Sequence, residues 1–176
     1  MSARTVLSES DIDRTLRRIA HEIIEAVPNG ADLILLGIPT RGAVLAQRLA
    51  VMVGDIVAHP IPWGTLDVTM YRDDLSRGGH RTPSPSSLPP GGIDDKVVVL
   101  VDDVLYSGRT VRAALDAMTA LGRPHMVKLA VLVDRGHREL PIRADHVGKN
   151  LPSAHDERIT VLLHDTDGVE EVQVVS

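Results

Sequence analysis

The chain has no cysteine. That excludes disulfides, a thiolate nucleophile and a Cys-ligated zinc. Phenylalanine is missing too, with one Trp and two Tyr present, so the 43% of apolar residues must build an aliphatic core. Long hydrophobic runs are also lacking. LILLGI, VVVLV and LAVLV fall far short of the roughly 20 residues that a spanning helix needs. No apolar h-region opens the sequence, so a cytoplasmic protein without a membrane partner is expected. There is no Gly-Lys-Ser/Thr and hence no P-loop of the ATPase kind. The net charge of −5 argues against indiscriminate binding to nucleic acid, though it leaves room for a local basic patch. At 176 residues a single domain spanning 1–176 with a full core is expected.

What is present centres on Val97 to Met118, VVVLVDDVLYSGRTVRAALDAM. Five apolar residues, Val97 to Val101, predict a parallel strand buried on both faces. Asp102 and Asp103 follow, then a turn at Tyr106-Ser107-Gly108. A helix is predicted from Arg109-Thr110, with Val111, Ala114, Leu115 and Met118 as its apolar stripe. A strand, a tight loop and a helix N-terminus aim backbone N–H groups at an anion, and Gly108 permits close approach. The acids suit hydroxyl groups or a hydrated Mg²⁺ at the edge of such a site. A ligand with phosphate at one end and a diol at the other, such as phosphoribose, fits both halves.

The rest of the chain repeats this logic. Residues 10–27 predict a helix with Ile12, Leu16, Ile19, Ala20, Ile23 and Val27 on one face. Arg14, Arg17, Arg18 and His21 fall together on the opposite face. Asp32 to Ile38 predicts a second buried strand, followed by Pro39-Thr40-Arg41-Gly42 and a helix from about Ala43 to Val53. This second loop also presents N–H groups, now beside the fixed charge of Arg41. Short strands are predicted at Ile56–Pro62 and Gly64–Tyr71. The segment from Ser76 to Gly92 is rich in Pro and Gly and reads as irregular, a length that compact domains reserve for lids or disorder. Met126 to Val133, Ile159 to Leu163 and Gly168 to Val175 predict further strands, while residues 134–151 carry no clear signal.

The Asp102–Thr110 stretch resembles the 5-phosphoribosyl-1-pyrophosphate (PRPP) signature of type I phosphoribosyltransferases. GIPTRG, LDVTMYRDDL, VVLVDDVLYSGRTVRAALDAM and VLVDRGHRELPIRADHVGKNLP, in that order and spacing, resemble the PyrR family over nearly the whole chain. Members of that family are bifunctional pyrimidine operon regulators and uracil phosphoribosyltransferases. The resemblance implies an α/β fold with a mainly parallel central sheet flanked by helices. It also implies a flexible loop at about 72–92 and a small hood at about 134–158. Purine enzymes carry an Asp in the PRPP loop where this chain has Tyr106, and a pyrimidine with an acidic N1–H needs that carboxylate less.

The resemblance also implies roles. Asp102, Asp103, Arg41 and Arg72 would be catalytic. PRPP would be bound by Thr40, Arg41, Asp102, Asp103, Val104, Leu105, Tyr106, Ser107, Gly108, Arg109 and Thr110. Asp134, Arg135, His146 and Val147 would surround the base, with His146 where the family often has a larger aromatic residue. Tyr71, Arg72 and Arg81 would act from the flexible loop. Arg14, Arg17, Arg18, His21, Arg138 and Lys149 would face pyr mRNA. Mg²⁺ would come with PRPP, near Asp102 and Asp103, with no ligand supplied directly by the protein. Uracil, UMP and UTP are the implied small partners, and a homo-oligomer, dimer or higher, is implied. The alternative is a transferase for uracil or another base without an RNA-binding role.

Overall fold

In the computed structural model, which describes residues 2–73 and 82–176, the chain opens with strand β1 (Ala3–Ser8) and helix α1 (Glu9–Ala26). Ser8 caps the helix: its hydroxyl accepts from Asp11 N, and Asp11 Oδ2 accepts from Ser8 N at 2.9 Å. The predicted face Ile12, Leu16, Ile19, Ala20 and Ile23 is buried. Strand β2 (Leu33–Gly37) is buried along its whole length, and helix α2 (Arg41–Val57) follows it. The helix outruns its predicted end at Val53 because Gly54 is tolerated, and it stops where Ala58 turns left-handed at φ 60°. Ile56 therefore belongs to α2 rather than to a strand. Strand β3 is reduced to Trp63–Thr65. Beyond it the Asp67 carboxylate accepts from Thr69 N at 3.0 Å and from Thr69 Oγ1 at 2.6 Å. That turns residues 69–71 into a 3₁₀ turn where a strand was predicted.

The chain continues through β4 (Val97–Leu105), α3 (Arg109–Thr119), β5 (Met126–Asp134), β6 (His146–Asn150), β7 (Arg158–Leu162), α4 (His164–Asp167) and β8 (Glu171–Val175). The main sheet has the order β3-β2-β4-β5-β6 and is parallel throughout. Alternate residues feed two cores. Leu33, Leu35, Val99, Val101 and Leu132 pack against α1 and α2, while Ile34, Leu36, Val98, Leu100 and Val131 pack under α3. Each fully buried Leu or Val contributes about 1.5–3 kcal/mol, so aliphatic residues alone suffice for this core. A separate antiparallel sheet, β1-β8-β7, joins the two ends of the chain. Residues 134–158, expected as a hood, supply the edge strand β6 of the main sheet and loops along the end of β4. No helix among the described residues is long and apolar enough to cross a membrane.

Candidate functional site

Strands β2 and β4 are neighbours, so the two predicted anion loops emerge side by side at the C-terminal edge of the sheet. Ile38 N donates to Val101 O at 2.9 Å. A Cβ on Gly42 would lie 2.6 Å from Val101 O and 3.3 Å from Asp102 Oδ1. Only glycine allows the 39–42 loop, whose Pro39–Thr40 peptide is cis, to rest directly against the acids. The second loop turns at Gly108, with φ 93° at the N-terminus of α3. Residues 138–142 run along it. Glu139 N and Leu140 N donate to Ser107 O at 2.9 and 3.1 Å. The Arg138 guanidinium donates to Tyr106 O and to Ile142 O, each at 2.8 Å.

These contacts leave a cavity of about 360 Å³, lined by Asp102, residues 104–111, Arg72, Val131 and Glu139. Asp102 is buried at 8% exposure, and its Oδ1 accepts from Asp103 N at 2.9 Å. Burial, then the Asp103 charge, pushes the Asp102 carboxyl well above its usual range, while Arg72 pulls the other way. Asp103 Oδ1 accepts from Val104 N at 2.8 Å. Arg109 points its side chain out of the phosphate position. It pairs with Asp73 and Glu139, both at 2.6 Å, and Asp73 also holds Arg112 at 2.8 Å. What this loop leaves open toward the cavity is therefore backbone N–H groups and hydroxyls rather than the arginine.

Arg72 thus reaches the cavity as expected, while Tyr71 is exposed and Arg81 lies outside the described residues. Arg41, which precedes Gly42 in the 39–42 loop, makes a bidentate pair with Asp167 of α4: Nη2–Oδ1 at 2.7 Å and Nε–Oδ2 at 3.2 Å. Arg135 is buried and stacks on the Tyr106 ring, 4.2 Å from its centre. The strand register corrects the place given to His146. His146 pairs with Ala130 and Val147 with Val131. Val147 therefore shares the cavity face, and the His146 side chain belongs to the opposite, α1 face. There it is buried, its Nε2 has no partner, and burial lowers its pKa.

The basic residues do not form one surface. Arg138 is half-buried against Asp134 and the Tyr106 carbonyl, so it braces the loop instead of facing outward. Arg14 and Arg17 are exposed and paired with Asp11 and Asp13. Arg18 pairs with Glu22 and also donates to the carbonyls of Val147, at 3.3 Å, and Gly148. Lys149 is exposed on that same edge strand, and His21 is exposed on α1. Sequence inspection missed Asp73, Glu139 and Asp167, whose ion pairs join residues 36, 30 and 126 positions apart.

Among the described residues no group of three or more His, Cys, Asp or Glu is placed to hold a metal. Two adjacent carboxylates beside an anion cavity fit a Mg²⁺ that arrives on a polyphosphate and keeps most of its waters.

Residues 3–165 match the phosphoribosyl transferase domain family. The fold is similar to the hypoxanthine phosphoribosyltransferase of Trypanosoma cruzi, with a TM-score of 0.72 at 18% identity over 97% of this chain and 95% of that one. Sequence likeness is far greater to proteins called Bifunctional protein PyrR. That of Leifsonia xyli subsp. xyli is 59% identical over 99% of this chain and 97% of its own length. That of Streptomyces coelicolor is 57% identical over 97% and 88%. Identity of this order, sustained along almost the whole of both chains, makes this protein a member of the PyrR family of phosphoribosyl transferase domains.

Proposed function

We propose that this chain transfers phosphoribosyl from Mg²⁺-bound PRPP to uracil, giving UMP and diphosphate. We propose also that it regulates pyrimidine biosynthesis genes by binding pyr mRNA in a uridine-nucleotide-dependent way. The observation that carries the enzymatic half is the cavity lined by Asp102, the loop at the N-terminus of α3 and Arg72. The N–H groups and hydroxyls of Ser107 to Thr110 bind the 5-phosphate. Asp103 holds the ribose hydroxyls, and Arg41 and Arg72 take the diphosphate, for which a guanidinium fork is suited. Bound with the diphosphate, Mg²⁺ neutralises charge on the leaving oxygens. Asp102, whose carboxyl burial holds above its usual range, would lie near the Mg²⁺ that comes with PRPP.

No side chain here serves as a covalent nucleophile. N1 of uracil replaces the diphosphate oxygen at C1 of the ribose, and the N1 proton passes to the departing diphosphate. The residues contribute by holding the reactants in line and by stabilising an oxocarbenium-like sugar with fixed charge. Tyr106 stands where a carboxylate would assist a purine, which favours pyrimidines. The regulatory half draws on exposed Arg14, Arg17 and Lys149. The acids three and four residues from the two arginines form exposed surface pairs that contribute little, and a phosphate can displace them. The chain acts as a homo-oligomer, which light scattering measures.

Steady-state assays with uracil, hypoxanthine, guanine and orotate test the first half. Uracil is the expected substrate, and preference for a purine or orotate overturns the assignment. Filter binding of pyr leader RNA with and without UMP tests the second half. No UMP-dependent retention leaves a transferase without a regulatory role.

A further inference from the structure

The Asp167 carboxylate is fully engaged. Its Oδ2 accepts from Leu163 N at 2.9 Å and Thr166 Oγ1 at 2.6 Å as well as from Arg41 Nε, and Oδ1 takes Arg41 Nη2. The Thr166 hydroxyl, then the Leu163 amide, then Arg41 hold its pKa down at about 2, so it stays ionised at any working pH. A carboxylate fixed by its own turn is a rigid anchor. The way it grips Arg41 matters. Binding through Nε and Nη2 uses the side edge of the guanidinium and leaves the end edge, Nη1 with the second hydrogen of Nη2, without a partner among the described residues. Arg41 is about one-third exposed, and its neighbour Gly42 touches Asp102. The loop that carries this open edge rests against Asp102 through Gly42.

We infer that Asp167 is a positioning residue. It locks the Arg41 side chain so that the free edge of its fork is presented to the diphosphate of the substrate. This rests on the proposed transferase reading and adds a residue from the far end of the chain to the site. The physical benefit is preorganisation: a long side chain held in one rotamer loses less entropy when the anion binds. Two turns along α2 the structure contains its own control. Arg48 binds Glu170 through Nη1–Oε1 at 2.6 Å and Nη2–Oε2 at 2.9 Å, and Asp165 at 2.5 Å. That second clamp ties α2 to the same end of the chain but starts two turns beyond the loop that touches Asp102.

The test is calorimetric titration of Mg²⁺-pyrophosphate and of PRPP into wild type, D167N, D167E and E170Q, with KM and kcat measured in parallel. D167N should weaken pyrophosphate about tenfold, the scale of one charge-assisted hydrogen bond. It should raise KM for PRPP much more than it lowers kcat, and D167E should recover part of the loss. On an R41Q background D167N should add nothing further, since the two act as one unit. E170Q should lower the melting temperature yet leave pyrophosphate binding within about twofold. Wild-type affinity or tighter binding in D167N would mean that Asp167 merely occupies Arg41, and the inference fails. It fails equally if E170Q weakens binding as much, because general loosening then explains both. A wild type that binds neither ligand sinks the transferase reading as well, whereas an unchanged D167N beside a binding wild type sinks this inference alone.

Discussion

The guanidinium of Arg135 lies 4.2 Å from the centre of the Tyr106 ring, so a buried cation backs an aromatic face that opens on the cavity. His137 meets the same ring edge-on at 6.1 Å. Arg135 Nη2 donates to Ala154 O at 3.0 Å, which ties two loops of the 134–158 segment to the anion loop. A desolvated cation–π contact contributes up to about 2 kcal/mol. Tyr106 therefore lines the cavity with its ring orientation fixed from behind.

Arg135→Met keeps the bulk and removes the charge. With the Tyr106 ring loosened, KM for uracil should rise about three- to tenfold, the kinetic equivalent of a contact of this strength. KM for PRPP should change little. Steady-state kinetics in both substrates measures this, and an unchanged KM for uracil would reduce the stack to a packing feature.

Asp102 gives a pH-dependent prediction. Its carboxyl sits well above the ordinary value in the fold, through burial and the Asp103 charge. The folded state therefore binds a proton that the unfolded state releases at about pH 3.9. Stability is full below that pH and is lost as pH rises toward the raised value. Asp102→Asn carries no such charge. Without PRPP or Mg²⁺, its melting temperature should equal that of wild type near pH 4 and exceed it at pH 8, while uracil transfer falls by about tenfold or more. A variant less stable than wild type at pH 8 contradicts this.

Asp73 bridges Arg109 and Arg112 at the half-open edge of the site. Exposed pairs of this kind contribute little to stability. Asp73→Asn should therefore lower the melting temperature by no more than about 4 °C. Arg109 would keep only its Glu139 partner, its Nη1 could turn toward the phosphate loop, and KM for PRPP should shift by about threefold or more. Equal KM values in the two proteins would show that Arg109 has no access to the ligand.

How much of this was legible in the sequence depends on how local the cause is. β2, β4 and β5 announce themselves because strands buried on both faces must be aliphatic throughout. The acids and Gly108 follow directly on such a strand. β6, HVGKN, hides because an edge strand with exposed Lys149 and Asn150 lacks that pattern. Its register nonetheless decides that Val147 rather than His146 shares the cavity face. β1 hides for a similar reason: only Leu7 is buried along it, and its partner β8 is at the far end of the chain. Asp73, Glu139 and Asp167 hold arginines that are distant in sequence, and no spacing rule links such pairs before the fold brings them together. The stripe on α1 was visible through its helical period, but Asp11, Asp13 and Glu22 interleave with it at the same spacing.

That interleaving sharpens the test of RNA binding. Arg18 is unsuitable for it, because it latches α1 to the Val147 and Gly148 carbonyls of β6, and Gly148 packs so closely on Thr15 that a Cβ would come within 2.6 Å. Arg18→Glu should lower both stability and uracil transfer. Arg14 and Arg17, with side chains 73% and 65% exposed, pair with Asp11 and Asp13 of their own helix. The double variant Arg14→Glu, Arg17→Glu should keep uracil transfer within about twofold, since exposed pairs contribute little to the fold. If α1 faces pyr leader RNA, the same variant should bind it at least about tenfold more weakly. The slope of log affinity against log salt should also become shallower by about 0.7 for each single-strand phosphate that is no longer neutralised. Filter binding across a salt series measures both. Unchanged affinity and slope would place the RNA elsewhere than on α1.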